Sequence, residues 1–158
     1  MEKVFIGTLE LGDKVDITDP CYNKDVWCRM TTDCKAGTYY AYANINDEGR
    51  VAYLEISLNG LDRRGIIVDE IGEIGVDAGM AGFFNNKPDY PDSEWSEMCD
   101  KYWCKKDENG AYLDYWLLDY GVVSSSGYGD GCYPVLANKN RDYFTIEFIG
   151  DDEYDNNE

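Results

Sequence analysis

Between Val122 and Val135 the chain reads V-V-S-S-S-G-Y-G-D-G-C-Y-P-V, with glycines at the alternate positions 127, 129 and 131. Glycine reaches positive φ without a Cβ clash, so three of them this close describe a backbone that bends in unusual ways. Short β-type runs, Val122-Val123 and Cys132-Tyr133, flank the bend. The interior is polar: Ser124, Ser125, Ser126, Tyr128 and Asp130. Such a loop either closes on itself as a self-satisfied turn or lines a site where a ligand meets the main chain.

The remainder reads as short strands. Lys3 to Glu10 and Lys14 to Thr18 alternate, with Leu11-Gly12-Asp13 turning between them. Pro20 lacks a ladder donor and ends the second run. Residues 23–36 show no period and read as a loop with one helical turn around Asp25 to Arg29. Gly37 to Asn44 and Arg50 to Leu58 are the clearest strands, joined by Asn46-Asp47-Glu48-Gly49 as a hairpin loop. Asn44, Asn46, Glu48, Gly49 and Glu55 match much of the EF-hand spacing, but Asn holds the first ligand place and strands replace the flanking helices. Calcium is therefore disfavoured there. Two short strands follow at Ile66 to Val68 and Glu73 to Asp77. Ala111 to Tyr120 reads as a loop with a short helix, and Asn138 to Asp142 as a turn into a last strand, Tyr143 to Ile149. One helix stands out: Asp92 or Ser93 caps it, and Trp95, Met98, Cys99, Tyr102 and Trp103 recur at helical spacing. The pattern predicts an α+β, mostly β fold. It is a twisted antiparallel sheet or sandwich with one amphipathic helix near 92–105. Residues 1–150 form one globular domain and 151–158 a frayed acidic tail.

Composition bounds the function. The 158 residues hold 32 acidic and 14 basic side chains, a net charge of −18, with 14 tyrosines and no histidine. Repulsion opposes nucleic acid and anionic membranes and favours a basic partner. Without histidine, the usual general base, the Ser-His and Cys-His pairs and the commonest zinc ligand are all missing. Six cysteines include no C-x-x-C pair, which argues against zinc and redox motifs. The opening M-E-K-V-F-I-G has no secretion-signal pattern, and no apolar run approaches membrane-spanning length. These readings place the chain in a reducing cytoplasm, while export would instead allow a disulfide framework.

D-I-T-D-P-C-Y near the start, G-V-D-A-G in the middle and S-S-S-G-Y-G-D-G-C-Y-P-V near the end occur in that order. With these blocks the chain resembles, over nearly its whole length, a family of small phage, prophage and bacterial proteins. The usual members carry Gln or a similar residue where this chain has Met80. The resemblance implies a phage or prophage context, and thus a host-cell cytoplasm, without specifying a chemistry.

Each block pairs an acid with turn-forming residues. If the sheet brings Asp19, Asp77 and Asp130 together, with Asp16 beside them, the carboxylates repel unless a cation such as calcium or magnesium joins them. That is the basis for one expectation, a metal-dependent hydrolase; the bland reading is that each acid caps its own turn. The glycine loop supplies another. It is neither a dinucleotide fingerprint nor a Walker loop, since no helix and no Gly-Lys-Ser/Thr follow. An anion nest sequestering a small nucleotide signal would use Ser124, Ser125, Ser126, Gly127, Tyr128, Gly129, Asp130, Gly131 and Tyr133. The expectation the composition favours is different. Asp89, Asp92, Glu94, Glu97 and Asp100 fall within twelve residues that contain no base, beside Trp95. Such a face fits a groove built for phosphates. It implies a non-enzymatic inhibitor without a cofactor, acting on a basic host nucleic-acid-binding defence enzyme such as a CRISPR effector.

Overall fold

The computed structural model describes residues 1–23, 26–60, 65–89, 94, 97, 106, 108–110 and 113–150. Eleven strands form among them: β1 (Glu2–Leu11), β2 (Lys14–Thr18), β3 (Met30–Asp33), β4 (Gly37–Ile45), β5 (Val51–Leu58), β6 (Asp69–Val76), β7 (Met80–Phe84), β8 (Tyr115–Leu118), β9 (Gly121–Ser125), β10 (Gly131–Ala137) and β11 (Tyr143–Glu147). They build two antiparallel sheets, one in the order β1-β4-β5-β11-β10-β6 and the other β3-β2-β7-β9-β8. The fold is mostly β, as the alternation requires.

Period-2 side chains explain how the sheets meet. Tyr39, Ala41 and Ala43 of β4 and Leu54 and Ile56 of β5 have no solvent exposure, while Tyr40, Tyr42 and Tyr53 between them are half-buried on the opposite face. The inward set joins Val15, Ile17, Ala81, Phe83 and Val122 of the smaller sheet in one core. Each large aliphatic chain moved out of water there contributes about 2 kcal/mol. Strands β7 and β9 are buried on both faces, because Met80, Phe84 and Val123 pack with Trp116 and Leu118 in a second cluster.

Several local expectations change. β3 lies inside the stretch read as loop; with the polar sequence M-T-T-D it shows no apolar period, and its register comes from β2 through Val15↔Thr32. Residues 66–68 are not strand, since β6 starts at Asp69 and runs unbroken to Val76. β8 occupies part of the stretch read as loop and short helix, because Tyr-Trp-Leu-Leu pairs with β9. Of the helix read over 92–105, Glu94 and Glu97 are described, both helical and exposed. The rest of that span, with Asp92, Trp95 and Asp100, lies outside the described residues, as do Asp25 and the tail 151–158.

Two turns are tied by asparagine. Asn46 Oδ1 accepts from the backbone N–H groups of Glu48 and Arg50, both at 3.0 Å. Asn44 Nδ2 donates to Glu55 Oε1 at 2.9 Å. The EF-hand-like spacing is thus a β-hairpin whose asparagines serve its own groups. Asn138 does the same for Asp142 and Tyr143.

The centre of the smaller sheet leaves no room for a side chain at Gly82, where a Cβ would lie 2.0 Å from the Val122 carbonyl oxygen. Gly82→Ala is expected to lower the urea-unfolding free energy by about 3 kcal/mol. Gly12→Ala, where nothing lies within 4 Å, should stay within about 0.5 kcal/mol of wild type.

Candidate functional site

The three sequence blocks meet at one corner of the sandwich. Asp77–Gly79 carries the chain from β6, in the larger sheet, to β7, in the smaller one; the glycine loop carries it back from β9 to β10. The two crossings run side by side, with Gly131 opposite Val76, Met80 opposite Ser125, and the Ser126 N–H donating to the Gly79 carbonyl at 3.1 Å. Asp19, just past the end of β2, closes the corner. It has no solvent exposure, and its Oδ1 accepts from the Cys21 N–H at 2.9 Å. Oδ2 accepts from the N–H groups of Asp77 (2.8 Å) and Ala78 (2.6 Å).

This geometry corrects the metal reading. Asp19 is saturated by three N–H donors, while Asp77 and Asp130 are exposed at the surface. Among the described residues no three His, Cys, Asp or Glu side chains are grouped to hold a metal. The blocks converge, but what draws them together is a carboxylate binding backbone amides, which needs no cation to relieve repulsion.

Asp16 anchors a second buried polar cluster. Its Oδ1 accepts from the Thr31 hydroxyl at 2.7 Å, and its Oδ2 takes the Lys87 N–H at 2.9 Å and Arg29 Nη2 at 3.0 Å. Arg29 also donates to the Tyr22 carbonyl and lies 3.9 Å from Asp89. The Lys87 side chain is fully buried and donates to the Pro88 carbonyl at 2.7 Å. Burial, and next the Arg29 charge, push its amine down to about 8. Burial and the Asp19 carboxylate push the neighbouring Cys21 thiol up, so it does not supply a thiolate at neutral pH. Cys21, Cys28, Cys34 and Cys132 are free thiols. The sequence singled out Asp16 as a turn-block acid, but nothing in its pattern joined Arg29 and Lys87 to it.

The glycine loop is largely self-satisfied. Ser124 and Ser126 are buried, and their hydroxyls donate to the loop's own carbonyls, Ser125 at 3.0 Å and Gly129 at 2.7 Å. The Tyr133 hydroxyl donates to the same Gly129 carbonyl at 2.6 Å. Positive φ at Gly127 (63°) and Gly129 (118°) makes this closure available. Beside the loop lies a cleft of about 390 Å³ whose lining includes Glu48, Arg50, Asp114, Ser125 and Tyr128. Arg50 donates to the Gly127 carbonyl at 3.2 Å and stacks 4.8 Å from the Tyr128 ring centre, while the Tyr128 hydroxyl donates to Glu48. Glu48 and Asp114 oppose the phosphates of a nucleotide, and the one guanidinium in the lining is already engaged. Asp130 and Gly131 are exposed and do not line the cleft. Of the expected nucleotide-sequestering set, Ser125, Gly127, Tyr128 and Gly129 line this acidic cleft, while Ser124, Ser126 and Tyr133 serve the turn's own carbonyls.

Of the expected partner-binding residues, Asp89, Glu94 and Glu97 are exposed. No helix among the described residues is long and apolar enough to cross a membrane. No protein-family model, curated protein or solved structure matches this chain.

Asp19→Asn keeps the size of the side chain but turns an N–H₂ toward amide donors; it is expected to cost about 2–3 kcal/mol in chemical denaturation. For Lys87 the folded value of about 8 lies below the ordinary 10.5, so the unfolded chain binds more protons between those pH values. Stability from this group therefore rises from about pH 8 to about 10.5, on the order of 3 kcal/mol. The wild-type advantage over Lys87→Met should grow across that window in pH-resolved unfolding curves.

Proposed function

We propose that this chain is a non-enzymatic acidic binding protein that occupies the basic groove of a nucleic-acid-binding enzyme. Together with the phage-like sequence blocks, this makes it an inhibitor of a host defence enzyme. One observation carries the reading: among the described residues exposed carboxylates far outnumber exposed cations, and some of the cations are tied to buried groups. Lys3 pairs with buried Glu55 at 3.2 Å, Arg29 with buried Asp16 at 3.0 Å, and Lys35 lies 3.8 Å from buried Asp142. Lys87 is itself buried. The exposed carboxylates include Asp69, Glu70, Glu73, Glu94, Glu97 and Asp119, while among the described residues Lys14, Arg50, Lys106 and Lys139 are the exposed cations beside Lys3 and Lys35.

A surface with this imbalance repels phosphate and attracts lysine and arginine at long range, raising association rates with any groove built for nucleic acid. The same chemistry argues against catalysis at the buried cluster, where Cys21 is held as a thiol and Lys87 is shut away from solvent. Capture of the partner from host lysate by the immobilised protein should fall steeply between about 0.05 and 0.5 M salt. Duplex or single-stranded nucleic acid should displace it competitively. A partner retained at high salt and indifferent to nucleic acid would sink the reading.

A further inference from the structure

The outer face of the larger sheet holds features that packing alone leaves idle. Register places Phe5, Tyr42, Glu55 and Thr145 in one row across four strands, and Lys3, Asn44, Tyr53 and Glu147 in the next. Thr8, Tyr40, Ser57 and Tyr143 form a third. Phe5 is 52% exposed, and its ring centre lies 5.7 Å from Tyr40 and 5.5 Å from Tyr42. In the middle sits Glu55, which points away from the core yet is 5% exposed. The Tyr143 hydroxyl donates to its Oε2 at 2.7 Å, and Asn44 and Lys3 meet its Oε1 at 2.9 and 3.2 Å. Burial and the Glu55 carboxylate push the Tyr143 hydroxyl up, which keeps it a donor. The bond to Glu55 fixes the Tyr143 ring, so that side chain has little rotamer entropy left to lose on binding.

Next to this network the face dips into a cleft of about 330 Å³, lined in part by Tyr53, Glu55, Leu136, Tyr143 and Glu147. Glu70 and Glu73 stand exposed on its β6 flank, and Glu10 is exposed near the far end of β1. The face already binds one cation of its own: Lys3 Nζ lies 4.5 Å over the Tyr42 ring while pairing with Glu55. Ring plus carboxylate is the arrangement that suits a guanidinium, which stacks flat and donates in its plane.

We infer that the outer face of the larger sheet is the docking face for the basic partner, with an arginine of that partner seated in the cleft between Tyr53, Tyr143 and Glu147 and with Phe5 and Tyr40 as aromatic anchors. This rests on the basic-partner reading above and adds where the partner sits and which cation it presents. An aromatic centre with a charged rim is the arrangement in which a few residues dominate affinity. Charge complementarity selects the occupant: Glu70 and Glu73 beside the cleft and Glu147 in its lining favour a cationic side chain over a neutral or acidic one.

Binding of oligo-arginine and oligo-lysine peptides of equal length, measured at low salt by fluorescence anisotropy, tests this. Oligo-arginine is expected to bind more tightly. Phe5→Ala and Glu147→Gln should each weaken it about three- to fivefold. Asp119→Asn, which removes the same charge from the β8–β9 turn, should change it by less than about 1.5-fold. Circular dichroism of each variant checks the fold. Equal binding of both peptides, with Glu147→Gln no worse than Asp119→Asn and Phe5→Ala without effect, overturns the docking face and leaves the basic-partner reading standing. Failure of both peptides to bind at low salt overturns both readings.

Discussion

Three backbone N–H groups, those of Cys21, Asp77 and Ala78, point at the Asp19 carboxylate, and the corner where the chain changes sheets is held by that convergence. A carboxylate with no solvent exposure is among the costliest groups to bury unless it is hydrogen-bonded on every side. Here the donors are amides that would otherwise be left over where β6 ends and β7 begins, so acid and turn resolve each other's deficit. Pro20, with no N–H of its own, follows directly and stops β2 at the point where the side chain must turn inward. The glycine loop then packs alongside, through Ser126 and Gly79.

Charge is sorted by depth in the same molecule. The buried carboxylates Asp16, Glu55 and Asp142 sit beside Arg29, Lys3 and Lys35, and Asp19 is held by three backbone amides. Pairing cations with the interior acids neutralises the core and leaves the excess of acid over base to the rest of the molecule. That excess works against the compact state by self-repulsion, which the core must outweigh.

Where the sequence was ambiguous, a residue type capable of two jobs stood at the position. Asn44, Asn46 and Glu55 spell most of a calcium loop, yet they brace a hairpin, because the flanks alternate with a period that only strands have. Ser124 and Ser126 looked like ligand donors; buried, they bond the loop's own carbonyls. Tyr40 and Tyr42 were legible as one face of a strand, but nothing local showed that Phe5 from β1 and Tyr143 from β11 would join them. β3 and β8 escaped because each is four residues long and takes its register from a neighbour.

By itself the sequence determined the class of fold, since alternation over residues 3–10, 14–18, 37–44 and 50–58 admits strands and little else, and it determined the excess of acid over base. It also marked three blocks rich in turn chemistry. Tertiary structure alone decided what those blocks do, because Asp19 meets residues 58 and 59 positions away and neither end of that bond carries a local signal. It decided, too, that Glu55 faces outward and is nonetheless buried. Strand order across a sheet sets which side chains share a row, and strand order is fixed by packing of the whole core rather than by any one segment.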